Sequence, residues 1–150
     1  IDLNGNQVVR NKSEFEINYR EVKSINTDES FLAAWFKFPK GDKVEAENKI
    51  KELLVHRKNT QPLNWPTAGS TFRNPKDKFA AKLIEDCGLK GYQIGGAQVS
   101  EKHANFIINL GNASALDIEK IINYIQKEVY KKTNIQLLRE IKIIGEEIGS

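Results

Sequence analysis

Between Pro62 and Pro75 the periodicity that a helix or strand requires stops, and this interruption constrains everything around it. Prolines and Gly69 hold the backbone in a loop that presents a hydroxyl (Ser70), a cation (Arg73) and an amide (Asn74) close together. The next segment, Asp77 to Cys87, reads as a helix, so the loop feeds a helix N-terminus. Such ends attract anions because their first amides lack intrahelical partners. A plainer reading makes the segment a proline-stiffened connector, with Asn74 as N-cap and Pro75 at the first helical position. Both readings stand on the residues alone.

On either side of this loop the pattern alternates between strands and helices. Ile1 to Asn11 reads as a hairpin around Asn4-Gly5. Ser13 to Tyr19 is ambiguous, a short helical turn before a loop that carries Arg20. Phe31 to Phe38 has strand character, bounded by Pro39 and Gly41. Asp42 offers an N-cap with Glu45 three residues on, and Val44, Ala46, Ile50, Leu53 and Leu54 form a helical stripe ending near Arg57. A boundary falls at Lys58 to Pro66. Beyond the loop, Phe79, Ala80, Leu83, Ile84 and Cys87 keep helical spacing, and Gly88 is placed to end that helix. Short strands are expected at Tyr92 to Ile94 and Phe106 to Asn109. Ser114 with Asp117 reads as a capping box, followed by a helix with Ile118, Ile121, Ile122, Ile125 and Val129 on one face. Ile135 to Ile144 reads as a final strand. The fold class expected is α+β, in small mixed units.

A chain of 150 residues with 39% hydrophobic content can bury a core in one domain, or in a domain plus a fragment. No apolar run reaches membrane-spanning length and there is no signal-peptide pattern. The lone Cys87 excludes an intramolecular disulfide and a cysteine-rich zinc site, and no metal site is expected. Its place on an apolar helix face assigns it to packing. The net charge of +3 comes mostly from dispersed lysines. Lys127, Lys131 and Lys132 lack interleaved aromatics and suit a helix C-terminus, so the charge does not point to nucleic acid. The chain has no methionine, and Asn4-Gly5 has only Ile1 to Leu3 before it, so the first strand is expected to be cut from a longer protein.

An ordered series of motifs carries a resemblance. Ala68-Gly69-Ser70-Thr71-Phe72-Arg73-Asn74-Pro75 is similar to the signature of the UDP-N-acetylenolpyruvoylglucosamine reductase family. Tyr19-Arg20, Gln61-Pro62, Leu89-Lys90-Gly91 with Gln93 to Ala97, His103 to Phe106 and Arg139 to Glu146 follow the family order. The match runs essentially from end to end. It implies that residues 1–57 are the C-terminal remnant of a flavin-binding domain and 58–150 a small mixed α/β substrate-binding domain. It also implies that the N-terminal half, with its glycine-rich flavin loop, is missing. No Gly-x-Gly-x-x-Gly replaces that loop, since Gly88, Gly91, Gly95 and Gly96 have the wrong spacing. The chain lacks an extra tyrosine-bearing loop between Tyr19 and Pro62 and so resembles the family's loop-lacking second type.

The resemblance implies a reaction in which FAD, reduced by NADPH, delivers a hydride to UDP-N-acetylglucosamine enolpyruvate, giving UDP-N-acetylmuramate for the bacterial cell wall. It implies a cytoplasmic bacterial enzyme, acting as a monomer with no nucleic-acid or membrane partner. Ser70 matches the family's proton donor to the carbanionic carbon, and a neutral hydroxyl is cheap to bury. Arg20 matches the active-site arginine, whose planar guanidinium can grip the enolpyruvyl carboxylate with two bonds. Glu140 matches the glutamate of the last strand, which must be protonated or paired to help beside an enolate. Ser70 and Arg20 are also placed against the flavin. Lys58, Arg73, Asn74, Lys90 and His103 are the substrate-binding candidates. Taken singly, Ser70 could cap a turn, Arg20 and Glu140 could be surface charges, and His103 an ordinary histidine.

Two other functions fit parts of the pattern. A non-catalytic sugar-nucleotide-binding module would use the substrate-binding elements without a complete flavin site. A serine hydrolase could be built from Ser70, His103 and a carboxylate, but Ser70 lacks the Gly-x-Ser-x-Gly elbow.

Overall fold

The computed structural model describes residues 1–24 and 28–145. Two compact units divide the chain, Ile1–Asp42 and Lys43–Ser150. In the first, a 3-10 turn at Lys12–Glu14 leads into strand β1 (Phe15–Asn18), which pairs antiparallel with β2 (Glu21–Ser24). Arg10 ties this unit together. Its guanidinium donates to both carboxylate oxygens of Glu29 and to Glu14.

Two expectations fail in this unit. Asn4-Gly5 does form a turn, with Asp2 N–H donating to the Asn6 carbonyl at 3.0 Å, but Ile1 to Asn11 is not a hairpin. The Asp2 carboxylate takes the N–H groups of Asn4 and Asn6, and the backbone bridge of Asp2 is to Glu29. The turn's donors therefore go to a side chain, and the pairing goes to a distant segment. Phe31 to Phe38 forms no strand, and Phe31, Trp35, Phe36 and Phe38 are exposed. Strand propensity without a partner strand leaves nothing to hold the ladder.

The second unit opens with helix α1 (Lys43–Thr60), which runs through Lys58 to end just before the proline segment. Its apolar stripe is exposed. The core lies further on, where a four-stranded antiparallel sheet has the order β3 (Thr67–Ser70), β6 (Phe106–Asn109), β5 (Ala97–Val99), β4 (Gln93–Ile94). Helices α2 (Ala80–Asp86) and α3 (Ala115–Thr133) contribute its remaining apolar layer, and among the described residues the fold is α+β. Ile121, Ile122, Ile125 and Val129 of α3 are fully buried with Val99 and Ile84, each such side chain contributing about 1.5–3 kcal/mol. The spacing of these residues puts them on one helical stripe. Ser114 caps α3 by the expected box, its hydroxyl accepting from Asp117 N–H at 3.1 Å while the Asp117 carboxylate accepts from Ser114 N–H at 2.9 Å. Tyr92 and Tyr124 stack with ring centroids 4.3 Å apart, closing the β4 end.

Three boundaries differ from expectation. Helix α2 starts at Ala80 because Asp77 adopts φ 57 and Phe79 is extended, so Asn74 is not an immediate N-cap and Pro75 is not the first helical residue. Strand β3 occupies the middle of the proline segment, where Ser70 pairs with Phe106 across the sheet. Ile135 to Ile144 forms a single bridge, Phe72 to Arg139, and no continuous strand. Glu146, the last residue of the C-terminal motif, lies outside the described residues.

Candidate active site

Ser70 ends β3 and is half-buried. The backbone beyond it is held from both sides. On one side, Thr71 N–H donates to the Asn105 carbonyl at 2.8 Å. On the other, the bridge between Phe72 and Arg139 is flanked by two bonds, Arg73 N–H to the Leu138 carbonyl and Glu140 N–H to the Thr71 carbonyl, both 2.9 Å. Ser70 and Glu140, distant in sequence, are thereby fixed on adjoining backbone segments. Thr71 and Phe72 are almost fully buried, whereas Arg73 and Asn74 are exposed where the chain leaves the sheet.

Phe72 presents a different accounting problem. In this bridge geometry its own N–H and C=O face away from Arg139, and it is 1% exposed, so both groups need partners inside the protein. The side chain of Asn105 supplies both. Its Oδ1 accepts from Phe72 N–H at 3.0 Å and its Nδ2 donates to the Phe72 carbonyl at 2.8 Å. Asn105 is itself 4% exposed. The residue lies in the His103 to Phe106 motif, but the motif alone does not mark it as a site residue. A polar side chain opening an otherwise apolar strand was the signal available.

The turn that delivers Asn105 is built by its neighbours. The buried Ser100 hydroxyl accepts from the N–H groups of Lys102 and His103, and Phe106 N–H donates to the His103 carbonyl at 3.0 Å. His103 Nδ1 accepts from Asn105 N–H at 3.3 Å, which leaves the proton of the neutral ring on Nε2. Its ring meets Phe106 edge-on at 4.8 Å. Burial, and secondarily the charge of Lys90, hold the His103 pKa below its ordinary value of 6.5, against a raising effect of its own backbone.

The other candidates keep their own local partners, each within its own unit. Lys90 pairs with Glu85 at 3.3 Å and acts electrostatically on His103. Lys58, exposed at the end of α1, has its carbonyl bonded by Lys102 Nζ at 2.6 Å, next to His103. Asn74 directs Oδ1 to Ala80 N–H at 3.0 Å, so it serves the start of α2 from a distance. Arg20 belongs to the other unit, in the turn between β1 and β2 at φ 60, with its guanidinium 5.6 Å from the Tyr19 ring centre. A cavity of about 190 Å³ lies behind β3, lined by Thr67, Gly69, Thr71, Ile107, Ile118 and Ile141 among others. None of the candidate residues lines it. No cluster of three or more histidine, cysteine, aspartate or glutamate residues suited to a metal occurs among the described residues. Among them, too, no helix is long and apolar enough to cross a membrane.

The family described as UDP-N-acetylenolpyruvoylglucosamine reductase, C-terminal domain, matches residues 61–144, more than half of the chain. The chain belongs to this family. A UDP-N-acetylenolpyruvoylglucosamine reductase of Thiobacillus denitrificans is 47% identical over 147 residues, covering 97% of this chain and 45% of the relative. One from Legionella pneumophila (strain Paris) is 50% identical, covering 97% of this chain and 48% of the relative. The crystal structure of UDP-N-acetylenolpyruvylglucosamine reductase from Thermus caldophilus resembles the fold with a TM-score of 0.56 at 34% identity, over 69% of this chain and 37% of that one. The chain spans about half the length of the curated relatives it matches.

Proposed function

We propose that this chain is the C-terminal part of a bacterial, cytoplasmic reductase that converts UDP-N-acetylglucosamine enolpyruvate to UDP-N-acetylmuramate for peptidoglycan. The observation that carries the reading is the pairing of the Ser70 and Glu140 segments through Thr71, which puts a hydroxyl and a carboxyl on neighbouring backbone. In this reading residues 1–57 close a flavin-binding domain and 58–150 bind the substrate.

FAD, reduced by NADPH, supplies the hydride when bound. Beside Ser70, Gly69 adopts φ 85 and open space stands where a side chain would be, which leaves room for a flat ring to approach. Ser70 and Arg20 would hold that cofactor from this chain, and the rest of its site belongs to the N-terminal half of the enzyme. Ser70 gives its hydroxyl proton to the substrate carbon that becomes carbanionic. A carbanion is a far stronger base than an alkoxide, so the transfer runs downhill. Arg20 grips the adjacent carboxylate and counters the developing negative charge. Glu140 brings its carboxyl to the same group, where it helps rather than repels only when protonated or paired with a cation. Lys58, Arg73, Lys90 and His103 supply cationic or polar contacts to the sugar diphosphate, with the amide nitrogen of Asn74 as a further donor.

The test is Ser70→Ala in the full-length enzyme, with the two half-reactions followed separately by stopped flow. Flavin reduction by NADPH should be nearly unchanged, and reoxidation by the enolpyruvyl substrate should slow about a hundred- to ten-thousand-fold. Slowing of the NADPH step alone would refute the reading.

A further inference from the structure

We infer that Asn105 is the positioning residue for Ser70, a role that rests on the proton-donor reading above. Strand β6 pairs with β3 only as far as Ser70 opposite Phe106. Beyond this point one main-chain bond remains, from Thr71 N–H to the Asn105 carbonyl, and the chain then turns away toward His103, so no main-chain group on that side meets Phe72. Yet Phe72, two residues past Ser70, is buried and needs a donor and an acceptor on that side. The Asn105 amide replaces the missing backbone unit, matching an N–H and a C=O with one side chain. Its own carbonyl bonds Thr71 N–H. Three bonds from one residue thus fix the three successive peptides that follow Ser70.

The opposite edge of the same segment carries the bonds to Leu138 and Glu140. Asn105 therefore holds the strand of the proton donor in register with the segment of the candidate acid. Only a side chain of this length with both a donor and an acceptor can do so. Loss of the amide orphans two buried backbone groups, which the segment can satisfy only by shifting toward water or another partner. Any such shift moves the Ser70 hydroxyl, and proton transfer to carbon is sensitive to displacements of an ångström.

The experiment is a double-mutant cycle in the full-length enzyme, using Asn105→Leu, Asn105→Asp and Ser70→Ala. Asn105→Leu removes both side-chain bonds while keeping the branched shape and the number of heavy atoms. Asn105→Asp keeps the acceptor for Phe72 N–H and replaces the donor, and it carries the cycle if the leucine variant does not fold. Substrate-driven flavin reoxidation should slow by about a hundred-fold in Asn105→Leu and by less in Asn105→Asp. The loss should fall on kcat more than on KM, with NADPH-driven reduction unchanged. On the Ser70→Ala background the same substitutions should cost no more than about twofold, since the group they position is gone. Equal losses with and without Ser70 would overturn the inference alone and show Asn105 to be a general structural residue. A fast Ser70→Ala beside a slow Asn105→Leu would overturn the proton-donor reading and this inference with it.

Discussion

The backbone N–H of Glu140 donates to the carbonyl oxygen of Thr71 at 2.9 Å, so the residue after Ser70 is the anchor of the C-terminal segment. A hydroxyl and a carboxyl held this way can act on one developing charge. On the proposed reading, in which Ser70, Glu140 and Arg20 act on the same negative charge, Glu140→Gln and Arg20→Lys should impair the same half-reaction as Ser70→Ala. Ser70→Cys should be milder than Ser70→Ala, since a thiol still donates a proton. Stopped-flow reoxidation rates order the variants, and a Glu140→Gln enzyme slowed only in its NADPH step would contradict the shared role.

The 150-residue chain on its own should purify colourless and show no NADPH-dependent reductase activity. It spans about half the length of its relatives and carries no Gly-x-Gly-x-x-Gly, and on the proposed reading most flavin contacts are made by residues outside it. An absorbance spectrum of the purified chain decides this. Stoichiometric flavin would sink the expectation.

Stability should be concentrated around α3. Ile125→Ala removes a side chain with no exposure and should cost about 2–5 kcal/mol. Leu53→Ala on α1, where the side chain is 55% exposed, should change stability by less than about 0.5 kcal/mol. Chemical denaturation of the chain measures both. Comparable losses would mean that the α1 stripe is packed in solution.

These two helices also show what the sequence could reveal. Each carries apolar residues at helical spacing, and each is a helix, because periodicity is a local property. Which stripe is buried depends on what lies opposite it, and for α1 that information is absent from its own residues. The capping box at Ser114 and strand β6 were legible for the same local reason. Strand β3 was not, since Pro66 and Pro75 flank a four-residue strand that itself contains Gly69 and whose partner, β6, lies far along the chain. The motif draws attention to the neighbourhood of Ser70, but nothing in it marks Asn105 as a clamp. Its function depends on where Phe72 loses its backbone partners, which only the assembled sheet reveals.

His103 should make the chain less stable on the acid side. Its ring is half-buried against Phe106, its Nδ1 accepts from Asn105 N–H, and the charge of Lys90 acts on it. Burial first, then Lys90, lowers its pKa below 6.5, so the folded state resists a proton that the unfolded chain accepts. In that window the unfolded state binds more protons, and stability rises with pH. The contribution is therefore fully present above the unfolded value and is lost as pH falls through the lowered folded one. Protonation would also place an N–H against the Asn105 N–H, so the turn that delivers Asn105 weakens with it. His103→Gln should flatten the fall in melting temperature between about pH 7 and about pH 5, and Lys90→Met should move the His103 titration upward. Imidazole proton resonances followed against pH, beside thermal melts at the two ends, measure both effects. A His103 that titrates at or above its ordinary value, or a melt with the same pH slope in His103→Gln, would overturn the assignment.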